Sequence, residues 1–350
     1  MTKRNCLVTG VVLALSLVAY QWAPTSPTVV KAAGKILING AGATFPYPIY
    51  SKWFDEYHKS HPDIEFNYQS IGSGGGIRQL LAGTVDFGAS DGPMTDEQLA
   101  QSKVKVLHFP TVLGADVPAY NLPGVSQELK FTPEALAGIY LGTIKKWNDG
   151  QLAKANPGVK LPDSDIVVVH RSDGSGTTYV WTDYLSKISP EWKSQVGKAV
   201  SVSWPVGLGG KGNEGVAGLV QQTPYSIGYV ELIYVIQNKM AYGLVKNSAG
   251  AFVKASVASV TAAAAGAAKS MPDDFRVSIT NAPGKDAYPI SSFTWLLIPS
   301  TISDSAKRTA ITGVLKWMLT DGQKMTEALA YAPLPSAVVK KETQAIAQIH

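Results

Sequence analysis

Arg171, Asp173, Ser175, Gly176 and Thr177 sit together in the stretch HRSDGSGTTYVW. Arg171 brings a permanent charge on a planar fork that suits a tetrahedral oxyanion. Asp173, two residues on, is placed to pair with that fork and hold it. Ser175, Gly176 and Thr177 bring small residues to the point where a helix would start, with free backbone N–H groups and a positive dipole end. The chemistry offered is capture of an anion. A capped helix carrying a surface arginine fits this stretch equally well, so the other segments decide. Nucleophilic catalysis finds less support: Gly174-Ser175-Gly176 is shorter than the Gly-x-Ser-x-Gly elbow, and His170 ends the preceding strand and need not face Ser175. The five histidines, His58, His61, His108, His170 and His350, show no metal-ligand spacing.

These residues must be positioned by strands that turn into helices. Ile166-Val167-Val168-Val169 is a β-branched run expected to be a buried strand, and Val180, Trp181, Tyr184 and Leu185 share one helical face after the turn. The design recurs twice. Ile36-Leu37-Ile38 leads through GAGATFP to a helix for which Thr44 is the expected N-cap, with Tyr50, Trp53, Phe54 and Tyr57 on its core face. Ile64, Phe66 and Tyr68 alternate as a strand; Ser73 and three glycines then lead toward a helix at Ile77-Arg78-Gln79-Leu80-Leu81. That loop lacks the endings of a nucleotide P-loop or a dinucleotide fingerprint. A fourth junction, Gly207–Gly215 before Val216, reads better as a plain flexible loop.

Asp86–Asp91 is expected to be a strand ending in a turn, leaving Asp91 as a candidate hydrogen-bond acceptor. Lys103–Phe109 alternates as a strand toward Pro110, after which Thr111–Tyr120 leaves the first lobe. Thr132-Pro133-Glu134 is a helix start, with Lys145-Lys146-Trp147 near its end complementing the dipole. Tyr225–Glu231 and Phe293–Ile298 are expected strands, Ala251–Ala268 and Ser305–Leu319 expected helices. Strands alternating with helices make an α/β protein, and no internal repeat is visible.

In 350 residues, 45% hydrophobic and 16% charged, the chain has room for two domains. Residues 1–33 read as a secretory signal peptide: Lys3 and Arg4, an apolar run Leu7–Ala19, and small residues at Val30 and Ala32 before cleavage. Its removal takes away Lys3, Arg4 and Lys31 and no acid, lowering the net charge from +5 to +2 and weakening any nucleic-acid reading. The single cysteine, Cys6, leaves with it. The mature chain then has no disulfide, catalytic thiol, cysteine-bound metal or lipid-anchoring cysteine.

Taken together, GAGATFPYPIYSKW, IGSGGGIRQL, VDFGASDGPM, IYLGTIKKWND, RSDGSGTTYVWTDYL, WPVGLGGKGNEGV, SIGYVE and YPISSFTWLLI, in this order over most of residues 34–335, resemble the periplasmic phosphate-binding proteins of bacterial phosphate ABC transporters. The resemblance implies a two-lobed type II periplasmic binding protein fold that closes on dehydrated phosphate in the interlobe cleft. It implies phosphate contacts from Thr44, from the backbone N–H of Phe45, and from Ser73. Asp91 would accept a phosphate proton. Arg171, Ser175, Gly176 and Thr177 would form the opposite wall, with Asp173 orienting Arg171. His170 stands where some relatives carry a second Arg, and Gly74 where some carry Ser.

It further implies one lobe built from residues 34–112 with 286–350, a second from 113–285, and a hinge of two crossing segments. A periplasmic monomer without lipid anchor or cofactor is expected. Its partners would be phosphate, arsenate as a mimic, and the membrane permease subunits, with no nucleic acid and no enzymatic activity. The competing readings are an exported hydrolase using Ser175 and a surface protein that kept the fold.

Overall fold

The computed structural model describes residues 1–2, 34–267 and 271–350. Two compact units divide the chain, Met1–Gly34 and Lys35–His350, and everything below concerns the second. The signal peptide read at the N-terminus lies outside the described residues apart from Met1 and Thr2. The same holds for residue 268 at the end of the alanine-rich segment.

Among the described residues the strands are β1 (Ile36–Gly42), β2 (Ile64–Ser70), β3 (Phe87–Ser90), β4 (Val106–Asn121), β5 (Lys130–Phe131), β6 (Val167–Arg171), β7 (Leu208–Gly210), β8 (Ser226–Glu231), β9 (Ala241–Tyr242), β10 (Leu244–Lys246), β11 (Phe252–Val253) and β12 (Ser291–Pro299). They form a mixed sheet in the order β2-β1-β3-β12-β4-β8-β6-β7, with β9 also on β4, and a small sheet β11-β10-β5. Parallel pairs β1–β2, β1–β3, β6–β7 and β6–β8 build the two ends. Parallel strands need crossovers, and helices supply them.

β4 joins the two halves. It runs antiparallel to β12 from Val106 to Ala115 and antiparallel to β8 from Asp116 to Asn121. The expected stop at Pro110 does not occur. Pro110 lies opposite Trp295, where the register shifts between Thr294 and Trp295, and that irregularity accommodates a residue with no N–H to give. The chain therefore passes from one half to the other inside a strand, buried along its length except at Asn121.

Several helices follow their sequence patterns. Tyr47–Ser60 buries Ile49, Tyr50, Trp53, Phe54 and Tyr57; Ser305–Met318 buries Ala310, Ile311, Val314, Leu315 and Met318. Thr132 caps Pro133–Leu141 by accepting from Ala135 N–H. Other boundaries differ. The Tyr47–Ser60 helix starts behind Pro46, so Thr44 is not its N-cap. The glycines after Ser73 are inside the Ser73–Ala82 helix rather than ahead of it. Lys146 lies beyond its helix and pairs with Asp163 at 2.6 Å; Trp147 is buried and donates to Tyr225 O at 2.9 Å. Packing, not the helix dipole, fixes that segment. Within the alanine-rich stretch, β11 comes first and a Ser256–Ser259 capping box opens a shorter helix, Val257–Ala264. No helix among the described residues is long and apolar enough to cross a membrane.

Candidate functional site

Each expected junction delivers its residues to one buried place. β6 ends at Arg171, and the helix Gly176–Ile188 begins behind Ser175, whose Oγ accepts from Thr178 N–H at 3.0 Å. That cap satisfies one N-terminal amide and leaves Gly176 and Thr177 N–H without a partner among the described residues. Phe45 N–H has none either, while Phe45 O accepts from Tyr331 Oη at 2.6 Å and Thr44 O from Tyr234 Oη at 2.6 Å. The first junction is thus held by two tyrosines through its carbonyls, with Phe45 N–H left over.

Arg171 is 3% exposed. Its Nε meets Asp173 Oδ1 at 2.8 Å and its Nη2 meets Asp173 Oδ2 at 2.7 Å, a two-point pairing, and its Nη1 donates to Thr177 Oγ1 at 3.3 Å. Burial opposes ionisation of Asp173, but the hydrogen bonds and charge of Arg171 outweigh it and hold the carboxyl below its usual range. Gly212 N–H, at the start of the helix Gly212–Gln222, adds a third bond to Asp173 Oδ1 at 3.0 Å.

Asp91 follows β3 and is 1% exposed. Its backbone N–H donates to Ser73 Oγ at 3.3 Å. Burial pushes its carboxyl up to about 7, against the lowering effects of Thr294, Arg171 and Ser73. Two more carboxyls lie close by: Asp116 and Glu231 face each other across β4 and β8, and burial raises both well above their ordinary values. The charge of Asp91 adds to both shifts.

Glycine is required where the two halves meet. A Cβ at Gly176 would overlap Asp91 Oδ2 and Ser73 Oγ. Gly72, at φ 85°, faces Asp173 in the same way, and Gly74 N–H donates to Gly174 O at 2.9 Å. The Ser73 and Asp91 side therefore touches the Asp173–Gly176 side directly.

Thr44, Phe45, Ser73, Asp91, Arg171, Asp173, Ser175, Gly176 and Thr177 are all brought together. His170 is not part of the group: its ring stacks on Trp204 at 4.8 Å, and its Nδ1 lies 3.0 Å from Arg171 O. Two participants escaped sequence reasoning. Thr294, inside a buried strand, holds Asp91 Oδ1, and nothing local marks it out. Asn213 belongs to the Gly207–Gly215 stretch read as a flexible loop. The structure makes that stretch a fourth strand-to-helix junction, β7 into Gly212–Gln222, with Asn213 fully buried. Its glycine-rich strand-to-helix form was the available signal. No group of three or more metal-ligating side chains occurs among the described residues.

Two halves of one sheet joined through a shared strand, with helix starts from both meeting at buried polar groups, make a two-lobed binding-protein architecture, and the chain belongs to the PBP superfamily, whose domain model matches residues 19–322. Among curated relatives, the phosphate-binding protein PstS of Xylella fastidiosa (strain Temecula1) is 48% identical over 318 residues, 91% of this chain and 86% of that one. PstS of Pasteurella multocida is 48% identical over 305 residues, 87% and 88% of the two chains. Among solved structures, the phosphate-binding protein from Stenotrophomonas maltophilia superposes with a TM-score of 0.69 at 19% identity, covering 89% of this chain and 94% of its own. At that identity it speaks for the fold.

Proposed function

We propose that this chain captures inorganic phosphate between its lobes and hands it to the membrane permease of a phosphate ABC transporter. The observation that carries the reading is one unpartnered acceptor, Asp91 Oδ2, beside unspent donors at Gly176 and Thr177 N–H and the fixed charge of Arg171. An anion that keeps a proton satisfies both kinds of group; one without a proton leaves Asp91 facing it unpaired. Phosphate has that proton near neutral pH, and sulfate does not. The PstS names of relatives sharing about half their residues support the same ligand. Thr44, Phe45, Ser73, Asp91, Arg171, Ser175, Gly176 and Thr177 are the proposed contacts, with Asp173 orienting Arg171. Arsenate, alike in shape and protonation, competes.

The partner switch of β4 between Ala115 and Asp116 supports lobes of residues 34–112 with 286–350 and 113–285, hinged where the chain crosses. Binding rather than catalysis is supported by Ser175, whose Oγ caps a helix, and by His170, which stacks on Trp204. The chain acts as a periplasmic monomer released from residues 1–33, without a lipid anchor; intact-mass measurement of the exported protein, expected to begin near Ala33 or Gly34, checks the processing. Calorimetric titration with phosphate and with sulfate tests the function. Saturable phosphate binding, at least tenfold tighter than sulfate, is expected; absence of phosphate binding overturns the reading, and release of phosphate from a generic ester would favour a hydrolase.

A further inference from the structure

Asn213 occupies the second position of the Gly212–Gln222 helix, fully buried. Its Oδ1 accepts from Glu231 N–H at 2.9 Å, which fixes the amide orientation, since only an oxygen can meet that donor. Its Nδ2 must then donate, and it does so twice: to Thr44 Oγ1 at 2.8 Å and to Thr177 Oγ1 at 3.1 Å. One side-chain amide thus spans two junctions that lie on opposite halves of the large sheet. Asn213 N–H also donates to Thr44 Oγ1, at 3.2 Å.

A hydroxyl has two acceptor positions and one proton. On Thr44 Oγ1 both acceptor positions are filled by Asn213. On Thr177 Oγ1 one is filled by Asn213 and the other by Arg171 Nη1. Neither hydroxyl donates to a described residue, and both threonines are buried. The only hydrogen-bonding capacity left on either oxygen is its proton.

We propose that Asn213 is a positioning residue that commits the Thr44 and Thr177 hydroxyls to act as donors toward the bound anion. The proposal rests on the phosphate reading and deepens it: two side-chain hydroxyls are fixed as donors by an amide nitrogen that can only give, while Asp91 is the acceptor. The site then sorts its ligand by proton inventory, one proton for Asp91 and acceptor oxygens everywhere else. An asparagine suits this task where an aspartate would not. A carboxylate in the same place would accept from both hydroxyls and turn their protons away from the ligand.

The test is phosphate calorimetry between pH 5.5 and 8.5 on the mature chain, with melts of each ligand-free variant. Asn213→Asp is expected to weaken phosphate at least a hundredfold at pH 8 and to recover part of that loss toward pH 5.5, as the introduced carboxyl takes up a proton and can donate again. Asn213→Ala and Thr44→Val, separately and together, form a cycle that does not depend on the aspartate variant folding. If Asn213 acts through the hydroxyl, Thr44→Val costs at least threefold less affinity in the Asn213→Ala background than in the wild type. A strictly multiplicative cycle, or an Asn213→Asp protein with wild-type affinity and pH profile, overturns the proposal. Failure of the wild type to bind phosphate would instead overturn the function on which it rests.

Discussion

Thr294 Oγ1 donates to Asp91 Oδ1 at 2.8 Å, while Asp91 Oδ2, equally buried, has no partner among the described residues. One oxygen of the carboxyl is committed to the scaffold and the other is kept open. Beside an anion site this arrangement is favourable only when a proton lies between Asp91 and the ligand, since like charges at contact repel. Under the phosphate reading, we propose that this pair admits only an anion that keeps a proton.

Asp91→Asn is expected to narrow the phosphate-to-sulfate ratio, chiefly by admitting sulfate. The amide oxygen still accepts, and the amide NH₂ can now donate to a ligand that has no proton. A buried unpaired acceptor costs about 1–3 kcal/mol, so sulfate should gain roughly tenfold or more in the mutant. Competition titrations of both proteins measure the ratio; an unchanged value removes Asp91 as the discriminator.

The same carboxyl makes ligand-free stability depend on pH. Burial raises its folded value from 3.8 to about 7, so its stabilising contribution is complete below about pH 4 and is lost as pH rises through 7. Full loss is on the order of 4 kcal/mol. Melts of ligand-free Asp91→Asn and wild type across pH 4–8 should give a mutant-minus-wild-type Tm difference that grows with pH and levels off above about 7. Asp116, with both oxygens unpartnered and its carboxyl also raised by burial, should add to the loss of stability as pH rises, and Asp116→Asn should make the wild-type slope less negative.

Arg171→Met is expected to weaken phosphate at least tenfold, because hydrogen bonds to charged groups contribute roughly 1.5–3 kcal/mol each. It also strands Asp173, whose carboxyl is held down by that arginine. Arg171→Lys should restore only part of the affinity, as a point charge without the fork. Titration beside a ligand-free melt separates lost binding from lost folding. Unchanged affinity would exclude Arg171 from the site.

Gly176→Ala places a Cβ where Asp91 Oδ2 and Ser73 Oγ already sit. The clash arises where the two sides meet, so phosphate affinity should fall about a hundredfold or more. Small-angle scattering with and without phosphate should show contraction of the wild type and little in the mutant. Equal contraction in both would mean that the lobes do not close at this glycine.

The local chemistry was legible in the sequence. An apolar run announced β1, alternation announced β2, and a β-branched run before a small-residue turn announced β6 and the helix start behind it, because strand and helix periodicities and capping residues act over a few positions. Ser175 caps its helix as those rules suggest. The resemblance implied that Thr44, Ser73 and Asp91 share one site, and the fold places the three in one neighbourhood. Three things were decided only by tertiary structure. Pro110 reads locally as a strand end, yet the sheet continues through it, because β12 supplies a register shift opposite. Thr44 reads as a helix cap, yet its hydroxyl is engaged by Asn213, a residue 169 positions away. Asn213 itself reads as loop, yet it is fully buried and meets partners from three other segments. Which of a hydroxyl's hydrogen-bonding positions remains open depends on every donor that reaches it, and those donors come from distant strands and helices. Periodicity carries no record of that competition; packing settles it.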